Sequence, residues 1–223
     1  RISHLRKVTV AYRYPLHNAR FELEVKRSRF IASLARVSSR EECSAFINLV
    51  REEFPAASHY CTAFIAGSPA DGALLGGSDD GEVAGTAFRP MLNILLHSGL
   101  GEVCAVVTRF YGGTKLGTGG LVRAYSQCLT EAIAQLKCET KVPQSTLRLA
   151  FDFCHEAAVR RHVAYFLGGV IEQRYEDQVI LELQVPKASV NEFLSIVRSE
   201  CKGEINIFCQ DSSDSPSINA SSP

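Results

Sequence analysis

The 223 residues contain no C-x-x-C pair, no apolar run of eighteen residues, no secretory signal and no excess of either charge. The missing apolar run removes a transmembrane helix. The cancelled charges argue against a chain that binds nucleic acid through bulk positive charge. Eight cysteines would suggest a disulfide framework in a small secreted protein, but Cys104, Cys128, Cys154 and Cys201 lie inside apolar periodic segments. They predict free buried thiols, a reducing cytoplasm and no membrane partner. Met91 is the sole methionine, and residues 1–15 are expected to be a trimmed or non-native leader without a role in the fold.

The neutral balance hides an asymmetry. Residues 1–40 carry ten Lys or Arg against Glu22 and Glu24, an excess of +8 that the other residues cancel. Such a distribution suggests a basic face for an anionic partner, centred on Lys26, Arg27 and Arg29, although a solvated edge strand has the same composition. Tyr12, Tyr14, Phe21 and Phe30 interleave with these cations, as on a stacking nucleic-acid surface or an ordinary packed hairpin.

Alternation predicts strands at 21–25 and 30–37, and 59–66 reads as a third. A capping-box pattern at Ser38/Glu41 or Ser39/Glu42 opens a helix carrying Cys43, Phe46, Ile47, Val50 and Phe54, which Pro55 ends. Six glycines and a proline make 67–85 a long loop, and Pro90 starts a short helix over 91–97. Val103 to Val107 lacks charge and turn formers, which predicts a central strand covered on both faces. After residues 140–145, the order β-α-β-β-α-β is that of a ferredoxin-like sandwich. The expected organisation is α+β in two domains, 20–139 and 145–209, with a leader at 1–19. A disordered tail is expected at 210–223, where six serines and two prolines fall.

Function is expected at Gly112 to Gly120, where five of nine residues are glycine and a strand passes into a helix. Unpaired N–H groups at a helix N-terminus attract anions, and Arg109, Lys115 and Arg123 add charge nearby. Gly112 to Gly117 has G-x-x-x-x-G spacing, but Thr118-Gly119 stands where a Walker loop needs Lys-Ser/Thr. Gly117-Thr118-Gly119 likewise lacks the third glycine of a dinucleotide fold. A nucleotide hydrolase and a Rossmann enzyme are thereby disfavoured.

Ser78-Asp79-Asp80-Gly81-Glu82 lacks the spacing and distal Glu of a calcium loop. It reads as a turn, as a set of acid–base carboxylates, or as a way for Asp79 or Asp80 to orient Arg109 or Lys115 or to cap a helix. His59 and Cys61 share one strand face, but two ligands are too few for zinc, so no metal and no cofactor is expected.

The stretches GSDDGEVAGTAFRP and VVTRFYGGTKLGTGGLVRAY resemble the hallmark of the YigZ/IMPACT family, SDDGEP-x-GTAG-x-P followed by VVxRYxGGxxLGxGGLVxAY. Lys26 to Phe30 resembles its K-K-S-R-F, and His59 with Cys61 its H-x-C, so the likeness covers about 20–209. Val83 replaces the family's proline, Phe88 the closing glycine of its GTAG, and Phe110-Tyr111 reverses the aromatic order. The resemblance implies a first domain like the second domain of ribosomal protein S-five, then a ferredoxin-like domain. That pair resembles the consecutive C-terminal domains of elongation factor G, and eukaryotic relatives modulate translation through the amino-acid-starvation kinase pathway.

By this resemblance the shared surface comprises Ser78, Asp79, Asp80, Gly85, Thr86, Arg109, Gly112, Gly113, Gly117, Gly119, Gly120 and Arg123, with Lys115 beside them. The expectation is a non-catalytic cytoplasmic protein that binds RNA or the ribosome and is linked to regulation of translation. An enzyme acting on a small phosphorylated or anionic substrate is one alternative, and a module that binds a protein partner is the other.

Overall fold

The computed structural model describes residues 11–69 and 74–210, which divide into compact units at 11–141 and from 142 onward. The first unit runs β1 (Tyr12–Pro15), β2 (Ala19–Val25), β3 (Ser28–Arg36), α1 (Arg40–Glu53), β4 (His59–Ala66), β5 (Leu74–Ser78), α2 (Phe88–His97), β6 (Val103–Phe110), α3 (Thr118–Ala134) and β7 (Cys138–Lys141). Five strands form an antiparallel sheet in the order β2-β3-β6-β4-β5. Its middle strand is β6. Val103, Ala105 and Val107 enter the core beneath α2 and α3, whereas Cys104 and Val106 enter the core shared with Cys43 and Val50 of α1. Burial on both faces explains why this run carries no polar alternation.

Local chemistry sets the helix ends. The Ser39 side chain accepts from the Glu42 amide at 3.2 Å, and the Glu42 carboxylate accepts from the Ser38 amide at 2.6 Å. The second of the two capping boxes read from the sequence is therefore the one used. The start of α2 at Phe88, three residues before the expected position, has a remote cause. Asp79 accepts from the amides of Ala87 at 3.0 Å and Phe88 at 2.8 Å, and so supplies the cap that Ala87 lacks.

Two expectations need correction. Residues 67–85 are not all loop, because Leu74–Ser78 forms edge strand β5 against β4. Its glycines mimic a loop signal but answer a steric demand. A β-carbon on Gly76 would meet the Phe64 ring at 2.5 Å, and one on Gly77 the Thr62 carbonyl oxygen at 2.1 Å. The second correction concerns residues 11–19 of the expected leader, since β1 pairs with β7 and Ala19 begins β2. Buried Tyr12 donates to Glu102 at 2.6 Å, and that carboxylate also accepts from Arg36 and Lys141. Residues 1–10 and 211–223, the rest of the expected leader and tail, lie outside the described residues.

The second unit runs β8 (Gln144–Phe151), α4 (Glu156–Tyr165), β9 (Gly169–Tyr175), β10 (Val179–Pro186), α5 (Val190–Glu200) and β11 (Ile205–Gln210). Its antiparallel sheet has the order β11-β8-β10-β9, the ferredoxin-like arrangement. Alternate residues Leu147, Leu149 and Phe151 on β8, with Leu181 and Leu183 on β10, meet Val159, Val163, Phe193 and Val197 of the two helices. The α+β, two-unit architecture is the expected one.

Candidate functional site

Three segments remote in sequence meet at the end of β6. The first is the hairpin joining β2 to β3, a two-residue turn in which Lys26 and Arg27 both have positive φ, 47° and 67°. That turn shape normally takes Asn-Gly, so two basic residues occupy it at a cost in strain. The second is the glycine-rich turn. A β-carbon on Gly112 would stand 1.9 Å from the Arg27 carbonyl oxygen, so the two turns touch backbone to backbone and only glycine fits. Fully buried Ser28 joins them, with its Oγ 3.3 Å from the Gly112 amide and 3.4 Å from Arg109 Nη2.

The third segment is the SDDGE loop. Arg109 and Glu82 side chains are each only 6% exposed and pair at 2.6 Å. Tyr125 of α3 donates to the same Glu82 oxygen at 2.9 Å. The Cys61 thiol lies 3.2 Å from the Tyr125 oxygen and 3.1 Å from the Asp79 carbonyl oxygen, so its one proton serves one of them at a time. Burial pushes the Cys61 thiol up to about 12 and raises the Tyr125 phenol, which leaves both protonated at neutral pH. Neither is an activated nucleophile. The Arg109 guanidinium lies 5.5 Å from the ring centroid of Phe30 and 5.5 Å from that of Tyr111, and its buried Nε has no hydrogen-bond partner among the described residues.

The remaining carboxylates brace the loop. Burial works to raise the Asp79 carboxyl, but the amides of Gly85, Phe88 and Ala87 outweigh it and hold the group below its usual 3.8. Asp80, at φ 47°, accepts from Arg51 at 2.6 Å and from the Tyr60 amide at 2.8 Å. Ser78 Oγ accepts from the Asp80 amide at 3.0 Å, and buried Thr86 donates to the Val83 carbonyl oxygen at 2.6 Å. Gly85 has φ 79°, which a side chain would strain. Among the described residues, no three His, Cys, Asp or Glu side chains cluster as a metal site.

The structure thus brings Arg109 to the SDDGE loop through Glu82, the residue that orients it in place of Asp79 or Asp80. Ser28 and Tyr125, which complete this network, were not legible as site residues. Ser28 lies 81 positions from Arg109, and Tyr125 lies 43 positions from Glu82. Gly113 and Gly117 take φ values of 80° and 72° in the turn, and Gly119 and Gly120 lie in the first turn of α3. Gly117 gives that helix no side-chain cap. Lys26, Arg27, Lys115 and Arg123 are exposed and form no ion pair among the described residues. Arg29 differs, because Glu22 pairs with it at 2.6 Å.

These features define an α+β protein whose first unit carries a buried Arg109–Glu82 ion pair at the end of β6, joined through Ser28 to the glycine-rich turn. Residues 26–133 match the Impact N-terminal domain. The chain is 41% identical over 185 residues to the IMPACT family member YigZ of Escherichia coli (strain K12), covering 83% of this chain and 91% of that protein. It is 38% identical over 196 residues to an IMPACT family member of Haemophilus influenzae (strain ATCC 51907 / DSM 11121 / KW20 / Rd), covering 88% and 95%. A crystal structure of an hypothetical protein, 37% identical, superimposes with a TM-score of 0.62 over 91% of this chain and 98% of that one. The chain belongs to the IMPACT family.

Proposed function

We propose that this IMPACT family protein is a non-catalytic, translation-linked factor that binds the phosphate backbone of RNA, on the ribosome or free, in a reducing cytoplasm. The observation that carries the reading is the contact of the Lys26-Arg27 hairpin with the Gly112 turn. It sets the exposed Lys26-Arg27 turn against the glycine-rich turn, which carries Lys115 and leads into the uncapped N-terminus of α3, the helix that carries Arg123; among the described residues these four exposed cations form no ion pair. Backbone amides and flexible cations of this kind suit phosphate oxygens. Arg109 has a different part, because Glu82 already neutralises it. It fixes the SDDGE loop and the end of β6, and the ligand is left to the exposed cations.

Acid–base catalysis is the weaker reading. Asp79 and Asp80 accept backbone amides, and Glu82 is committed to Arg109 and Tyr125. The translation link rests on family membership and on the role of eukaryotic relatives. Co-sedimentation with ribosomes tests the proposal. The wild-type chain is expected to pellet at low salt, and a Lys115→Ala/Arg123→Ala variant to remain in the supernatant. Equal pelleting of the two would remove the site, and pelleting that survives nuclease digestion of the RNA would point to a protein partner.

A further inference from the structure

The second unit has an open edge. Strand β9 pairs with β10 on one side, no described strand covers its other side, and all seven of its residues are exposed. Such an edge offers unpaired amides and carbonyls to another strand. The sequence along it is Ile171-Glu172-Gln173-Arg174-Tyr175, which reads apolar, acidic, polar, basic, aromatic. This order is self-complementary when reversed. Laid antiparallel on a second copy with the two-fold axis at Gln173, it puts Glu172 opposite Arg174 and Ile171 opposite Tyr175, each pair occurring twice.

We propose that β9 is a homodimerisation edge at which two copies of this chain join their four-stranded sheets into one. Complementary charge identifies the occupant. Glu172 and Arg174 share the sheet face turned away from the helices, where they form an exposed ion pair at 2.8 Å within one strand. An exposed pair of that kind is worth little in isolation, so it is free to re-pair across the axis. The opposite face is pre-arranged. Tyr175 stacks on half-exposed Phe153 with ring centroids 6.4 Å apart, and its hydroxyl donates to Glu156 at 2.9 Å. Arg160 holds the Gln173 amide oxygen at 2.6 Å. Half-exposed Ile171 of the second copy would cover the Tyr175–Phe153 stack, which has few rotamers left to lose. The register shift between Glu182 and Leu183 leaves Ile171 at a bulge, which limits the new ladder to a few residues. The dimer is accordingly weak and concentration-dependent.

Sedimentation velocity on the full chain over a concentration series tests this. The wild-type chain should pass from monomer to dimer. Glu172→Arg alone and Arg174→Glu alone each set like charges against each other twice and should weaken the dimer by about tenfold or more. An equimolar mixture of the two variants restores opposite charges at both contacts and should dimerise as well as wild type. Unchanged thermal unfolding of each variant separates these effects from loss of fold. A wild-type chain that stays monomeric throughout, single variants that dimerise normally, or a mixture that stays monomeric would each overturn the assignment.

Discussion

At the scale of single residues, the site is a charge account closed inside the protein. The Arg109 guanidinium is tolerated in the interior because Glu82 lies against it, and Glu82 in turn holds Tyr125. Glu82→Gln keeps the shape but strands a buried cation, which should cost about 3–5 kcal/mol in denaturant unfolding. A loss under about 1 kcal/mol would mean that the pair is not structural. Asp79 gives a pH signature. Its carboxyl is held below 3.8 in the fold, so its stabilisation is complete above the unfolded value and fades as pH falls through the folded one. Asp79→Asn should therefore lower the melting temperature at neutral pH and flatten its decline under acid. A parallel shift at every pH would assign Asp79 no share of the acid limb.

At the scale of elements, the β2–β3 hairpin has a turn that disfavours its own residues. Both Lys26 and Arg27 are left-handed without being glycine, and each costs about 1 kcal/mol. Lys26→Asn/Arg27→Gly supplies the sequence this turn prefers. It should raise stability by about 1–2 kcal/mol and weaken RNA binding at the same time. Thermal unfolding and an RNA titration on the same variant check both halves, and a gain in stability with undiminished binding would free the hairpin of a binding role. The elements that could be read from sequence were those whose signal is local, such as the apolar run of β6, the strand at 59–66 and the box at Ser39 and Glu42. The missed ones, β5, β1 and the early start of α2, depend on partners far along the chain: the Phe64 ring, Glu102 and Asp79. The same distance in sequence hid Ser28 and Tyr125, whereas the two glycine and acidic loops were visible because their composition is unusual.

At the scale of the whole molecule, the +8 excess of residues 1–40 overstates the charge offered to a ligand. Arg20, Arg29 and Arg36 are spent on Glu53, Glu22 and Glu102. Among the described residues, Lys26, Arg27, Lys115 and Arg123 are exposed cations without an ion pair, and so small a set gives a shallow, countable salt dependence. No helix among the described residues is long and apolar enough to cross a membrane. The central claim is that Lys115 and Arg123 neutralise phosphates beside the turn that Arg109 and Glu82 hold in place. Its most direct measurement is the slope of log affinity against log salt for a structured RNA, wild type against Lys115→Ala/Arg123→Ala. The wild type should behave linearly, and the variant should show a slope shallower by about 2. Identical slopes, or wild-type binding that ignores salt, would contradict it.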